Sequence, residues 1–273
     1  MATYIHFGKQ PDVLKHLVLC EVLRRESSSI YVETNSACAI YPMKQTPEQQ
    51  YGIYHFLEKV AEGDNQDLKD STYFQLEYTE MQGGCYLGSP ALAMKIAGRK
   101  AQRFIFFDLE KSALDNVALF AERADLLPSV HLYHTDSLEG VVHIDPYEID
   151  KKGTSGLTYL DLLIEATRLG MKCLLWYGFM TLKDKSYLNS YIMPRLKDAG
   201  IKEYTCVELI MKSIRQDTVL YNPGIIGSGI LATNLSQQSK KIILDYSDML
   251  VRLYQNATYK DKDGSLYRDK PFN

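Results

Sequence analysis

The chain has 273 residues, 45% of them hydrophobic and 24% charged, with a formal net charge of −3. That length suits one α/β domain carrying an insertion, and the apolar share excludes global disorder. The slightly acidic balance gives no support to a broadly basic nucleic-acid surface, although a local patch offset by acids elsewhere stays open.

The amino terminus has no basic stretch followed by an apolar run, and no apolar run is long enough to span a bilayer. A soluble cytoplasmic protein without signal peptide or membrane contact is expected. The five cysteines, Cys20, Cys38, Cys85, Cys173 and Cys206, are far apart and form no CxxC pair. This argues against a zinc site and a disulfide framework and for reduced thiols in or near the core, with no metal. Most of the 20 tyrosines should be packing residues, and some could stack on bases.

The first helix should start at Pro11 and run to about Arg25, with Val13, Leu14, Leu17 and Val18 on one face. Ile30-Tyr31-Val32-Glu33 reads as a short buried strand. Residues 41–88 read as an inserted helical subdomain. In it Thr46-Pro47-Glu48-Gln49 carries a cap, a first-turn proline and a capping-box glutamine, opening a helix to about Glu62. Asp64 to Asp70 reads as a polar loop. A further helix follows Ser89-Pro90 to Lys100. From there strands and helices alternate: strand 103–108, helix 112–125, strand 130–134, strand 141–145, helix 157–168 and strand 172–177. A helical region follows over 183–199, with Pro194 as a break. Strands near 203–212 and 229–233 should form an antiparallel edge pair, Ser236 starts a last helix to about Gln255, and 258–273 reads as a loosely held polar tail.

This alternation predicts a single α/β domain with a mainly parallel, doubly wound sheet. Ligands of such sheets bind beyond the carboxyl ends of the strands, which singles out Glu33 to Ala39, Asp108, Asp136 and Asp145 to Glu148. Asp108 is placed to take ribose hydroxyls, although an acid at a strand end also serves as a helix cap. Glu33-Thr34-Asn35-Ser36-Ala37-Cys38-Ala39 has no glycine where a nucleotide loop favours one. Asp145-Pro146-Tyr147 suits an exocyclic amine: the carboxylate and the Pro146 carbonyl accept its two N–H bonds, and the Tyr147 ring stacks on the base. The same tripeptide is also an ordinary turn after a strand.

Several segments carry a family likeness in order. His6-Phe7-Gly8-Lys9-Gln10-Pro11-Asp12-Val13-Leu14-Lys15-His16 resembles an HxxDVLKH-like stretch, Gly88-Ser89-Pro90 a PGSP segment, Ile144-Asp145-Pro146-Tyr147-Glu148 an IDPPYE motif, and Leu175-Trp176-Tyr177 an LWYP segment. Val207-Glu208-Leu209 and Gly227-Ser228-Gly229 resemble later strands. Together these resemble the bacterial 23S ribosomal RNA (adenine-N6)-methyltransferase family across nearly the whole chain. The resemblance implies a class I S-adenosylmethionine-dependent methyltransferase fold, Rossmann-like, with a small helical insertion. It implies S-adenosylmethionine bound near His16, Asn35, Ser89, Asp108, Asp136 and Ser137, and Asp145, Pro146 and Tyr147 at the target amine. It places Tyr4, His6 and Lys15 over the site, toward cofactor or RNA; for Lys15 and His16 the polar face of a helix is the plainer reading. Ribosomal RNA is the implied partner, and a monomer the favoured state.

The chain departs from the family at two places. The family's first loop resembles DTHAGAG, so both glycines and the histidine are replaced here, and its DPPY is one proline shorter. Two alternatives follow: a non-catalytic methyltransferase-fold protein that binds RNA or a protein partner, and a methyltransferase with another substrate.

Overall fold

The computed structural model describes residues 4, 6–26, 29–134, 143–146, 148–153, 156–217 and 225–271. The sequence-predicted site residues Asp136, Ser137 and Tyr147 lie outside them.

Helix α1 spans Gln10–Arg25, with Pro11 in its first turn and the Asp12 side chain accepting from Lys9 N at 3.1 Å. It is buried on more than the single face its apolar spacing predicts. Val13, Leu14, Leu17 and Val18 are fully buried, and so are His16 and Glu21. Strand β1 is Ile30–Glu33. Two short strands, β2 (Ile40–Pro42) and β3 (Cys85–Leu87), pair antiparallel and bracket the helices between them.

Those helices are α2 (Pro47–Gln49), α3 (His55–Glu62), α4 (Gln66–Lys69) and α5 (Thr72–Gln82). The single helix expected from Pro47 to Glu62 is instead interrupted by a π-type turn, with non-helical backbone at Gly52. A Cβ there would stand 2.2 Å from the Gly8 carbonyl oxygen, so the kink admits the chain that leads into α1. The polar loop expected over 64–70 contains α4, capped by the Asn65 side chain on Leu68 N.

The remaining elements are α6 (Ser89–Ala97), β4 (Arg103–Phe107), α7 (Lys111–Arg123), β5 (Val130–Tyr133), β6 (His143–Ile144), α8 (Tyr159–Arg168), β7 (Cys173–Phe179) and α9 (Leu182–Asp198). They are followed by β8 (Tyr204–Met211), β9 (Gly227–Thr233), α10 (Gln237–Leu253), β10 (Thr258–Tyr259), β11 (Lys262–Asp263) and β12 (Leu266–Asp269). Pro194 does not break α9, contrary to expectation. It sits with Ser190 on the exposed side of the helix, where water can satisfy the carbonyl that loses its N–H partner.

One sheet runs β12-β8-β9-β7-β6-β1-β4-β5. Strands β5, β4, β1, β6 and β7 pair in parallel, and β9 runs antiparallel to both β7 and β8. The fold is therefore mixed α/β with a mostly parallel central sheet. The two late strands do pair antiparallel, but not at the edge. The edge is β12, from the segment expected to be loose, and it pairs with β8 from Leu266↔Met211 to Asp269↔Glu208. Burial of Tyr259 and Leu266 ties that segment down.

The strand order reverses at β1. The chain goes from β1 to β4 on one side and later returns to β6 on the other, which opens a crevice at the carboxyl ends of β1, β4 and β6.

Candidate active site

Asp108 follows β4, and Asp145 follows β6. The loop after β1 lies between them, held by Ser36 N donating to Phe107 O at 3.0 Å and Thr34 N to His143 O at 3.1 Å. The two acids predicted from strand ends are thus brought to one crevice.

The loop turns without glycine by placing Ala37 in the left-handed region, at φ 52°. This costs a non-glycine residue about 1–2 kcal/mol. In return the Ala37 N–H donates to Asp108 Oδ2 at 2.7 Å. Asp108 Oδ1 accepts from Glu110 N at 2.7 Å and from the Tyr4 hydroxyl at 2.9 Å. Burial and the neighbouring Asp108 charge push the Tyr4 phenol well above its ordinary range, so it remains a donor. Gly88 packs on the same loop: its N–H donates to Ala39 O at 2.8 Å, and a Cβ would meet Cys38 O at 2.0 Å.

Asp145 is engaged by Lys15 of α1, whose Nζ lies 2.7 Å from Asp145 Oδ2 and 3.3 Å from Asp12 Oδ1. The Lys15 ammonium also lies over the Trp176 ring of β7, 5.4 Å from its centroid. Burial alone would push the Lys15 ammonium down, but Asp145 and Asp12 outweigh it and hold it above its ordinary value. Burial pushes the Asp145 carboxyl up against the pull of Lys15, which makes it a stronger proton acceptor than a carboxylate in water. Pro146 is buried directly after it.

The other predicted residues are placed as follows. Asn35 accepts from Thr34 Oγ1 at 2.7 Å and donates to the Tyr159 hydroxyl at 3.2 Å. The Ser89 hydroxyl donates to Glu33. His16 is buried among aromatic rings, its Nδ1 2.8 Å from the Tyr86 hydroxyl, while its Nε2 has no partner. His6 is exposed, in the field of Lys9 and Glu48.

One cluster was missed. Glu33, fully buried, accepts from the Tyr31 hydroxyl at 3.1 Å and lies 3.0 Å from His143 Nδ1. The available signal was the alternation of Tyr31 and Glu33 in the first strand, two residues apart and hence on one face. Ser36 Oγ is a second buried polar atom without a partner in this region.

These residues fit a nucleotide-type cofactor. Asp108 Oδ1, now taken by the Tyr4 hydroxyl, is an acceptor that a ligand hydroxyl could use, and Ser36 Oγ and His16 Nε2 are polar atoms with bonding capacity to spare. Among the described residues no cluster of three or more His, Cys, Asp or Glu side chains could hold a metal ion. None of the described helices is long and apolar enough to cross a membrane.

No family model matches the chain, and no curated protein matches it. Among solved structures it is similar to protein LPL1258 from Legionella pneumophila, of the DUF519 family, with a TM-score of 0.67 and 18% identity over 98% of this chain and 99% of that one. It is also similar to an rRNA methylase from Streptococcus thermophilus (TM-score 0.40, 11% identity, 85% and 100% covered). A third is a SAM-dependent O-methyltransferase from Thermotoga maritima (TM-score 0.39, 10% identity, 82% and 65% covered). The likeness to the Legionella protein is one of fold over the full length of both chains.

Proposed function

We propose that this protein is an S-adenosylmethionine-dependent methyltransferase acting on the exocyclic N6 amine of an adenine in RNA, with 23S ribosomal RNA as substrate. The observation that carries the reading is the Asp145–Pro146 pair, largely buried at the end of β6, beside the loop after β1 and Asp108. The ordered sequence motifs supply the RNA and adenine part of the reading.

Asp108 and the Ala37 turn would hold the ribose end of the cofactor, with Ser36, Asn35, Ser89 and His16 nearby in the sequence pattern. The bound cofactor would supply an electrophilic methyl group. Asp145 would accept one N–H of the amine and the Pro146 carbonyl the other, turning the nitrogen lone pair away from the ring. Asp145, made more basic by burial, is then placed to take the proton the amine loses. Lys15 keeps that carboxylate paired before the base arrives, so the base must share or displace the ammonium.

The non-catalytic alternative is favoured by one observation: both acids are already engaged by the chain's own Tyr4 and Lys15. Calorimetric titration with S-adenosylmethionine separates the two. Saturable binding that is weakened by Asp108→Ala supports the enzyme, and no binding at millimolar cofactor supports the alternative.

A further inference from the structure

Helix α9 carries Tyr187, Tyr191 and Arg195 at successive i, i+4 positions, so they lie along one face. The two rings stack with centroids 6.4 Å apart and planes 22° from parallel. The Arg195 guanidinium lies over the Tyr191 ring, 4.4 Å from its centroid, and pairs with Asp161 at 2.8 Å. Tyr187 is 54% exposed.

Both hydroxyls are tied to the segment that follows Asp145. Tyr187 donates to Asp150 Oδ2 at 2.7 Å, and Tyr191 donates to Thr158 Oγ1 at 3.1 Å. The rings are therefore fixed at their tips while the outer face of Tyr187 stays open to solvent. Asp150 is five residues from Asp145, which bounds the path between them at about 18 Å even if fully extended. Exposed Lys151 and Lys152 follow Asp150, and exposed Lys183 lies in the first turn of α9. Lys151 pairs with Glu148 at 4.0 Å.

An aromatic face open to solvent, near in sequence to the exposed Lys151, Lys152 and Lys183 and joined through Asp150 to the segment after Asp145, has the elements of a single-strand nucleic-acid site: a stacking surface for a base and cations nearby for its phosphates, alongside the acids Glu148, Asp150 and Asp161. We propose that the Tyr187–Tyr191–Arg195 ladder is a stacking platform for a single-stranded stretch of RNA next to the target nucleotide. This deepens the RNA methyltransferase reading and rests on it.

The test is fluorescence anisotropy of a short fluorescein-labelled, adenine-containing single-stranded RNA with the full chain and its Tyr187→Ala and Tyr187→Phe variants. S-adenosylmethionine binding and thermal unfolding are measured in parallel. Loss of the ring should weaken RNA binding about 10-fold, whereas Tyr187→Phe, which keeps the ring and loses only the Asp150 bond, should stay within about 2-fold of wild type. Cofactor binding and Tm should be unchanged in both. Wild-type affinity in Tyr187→Ala overturns the platform while leaving the RNA reading intact. Equal losses in the two variants also overturn it, because the Asp150 bond rather than the ring would then carry the effect. A wild-type chain that binds cofactor but no RNA removes the RNA reading and the platform together.

Discussion

Lys15 Nζ lies 2.7 Å from Asp145 Oδ2, so the first helix and the residue after β6 share one largely buried ion pair. Lys15→Met would leave the carboxyl buried without its cation, a change that costs about 3–5 kcal/mol when a buried pair is broken. Burial already pushes the Asp145 carboxyl up, and Lys15, with His143, pulls against that. Without Lys15 the carboxyl is protonated over a wider pH range and donates where it should accept. The variant should therefore lose methyl transfer most at low pH and regain part of it as pH rises, relative to wild type. A rate–pH profile with the same shape as wild type would argue against this role.

On the proposed reading, the Tyr4 hydroxyl, which donates to Asp108 Oδ1 at 2.9 Å, competes with a cofactor ribose for that oxygen. Tyr4→Phe removes the competitor and keeps the ring. A partly exposed hydrogen bond to a charged group is worth about 1 kcal/mol, so calorimetry should show S-adenosylmethionine binding about 5-fold tighter. Weaker binding in the variant would mean that Tyr4 helps hold the cofactor instead.

Ala37 makes its turn at positive φ. Ala37→Gly relieves the Cβ clash but adds chain freedom to the unfolded state, leaving a net gain of about 0.5–1 kcal/mol. Thermal unfolding should rise by about 2 °C for a chain of this size. Gly88→Ala should do the reverse. Its Cβ meets the Cys38 carbonyl oxygen, which is backbone, at 2.0 Å, so the loop after β1 must move, at a cost of about 2 kcal/mol or more.

Glu26, at the end of α1, accepts from Ser236 N at 2.8 Å and pairs with Lys172 at 2.9 Å. Burial pushes its carboxyl up, but the bonds from Ser236, Lys172 and Ser239 outweigh that and bring it down to about 2. A carboxyl whose folded value is depressed stabilises the fold above its unfolded value, near 4.5, and that contribution is lost as pH falls toward 2. Allowing for solvent screening it amounts to about 1–2 kcal/mol at neutral pH. Glu26→Gln should lower stability by that amount at pH 7 and by progressively less between pH 4.5 and 2. A constant deficit across that range would contradict the assignment.

The strands that build the crevice were legible because each is a short apolar run ending in an acid: Glu33, Asp108 and Asp145 all stand at strand ends. Helix α5 was not legible. One of its buried positions is Glu77, which breaks the apolar period, and its carboxyl is pushed well up by burial. Strand β12 was hidden because its segment is polar and it forms by pairing with β8 rather than from its own pattern. Exposure of Pro194 decides why α9 continues, and exposure is set by packing, not local sequence. Asp145 and Asp108 were readable as acids at strand ends; the Tyr4–Asp108 and Lys15–Asp145 contacts join residues 104 and 130 positions apart, which no local pattern encodes, and only the family resemblance placed Tyr4 and Lys15 near them.

The most direct test of the central claim is methyl transfer from radiolabelled S-adenosylmethionine to unmodified 23S ribosomal RNA, followed by nucleoside analysis, with wild type and Asp145→Ala compared. The account predicts label in N6-methyladenosine with wild type and a loss of at least about 100-fold in the variant. No label with wild type, or equal label with Asp145→Ala, would contradict it.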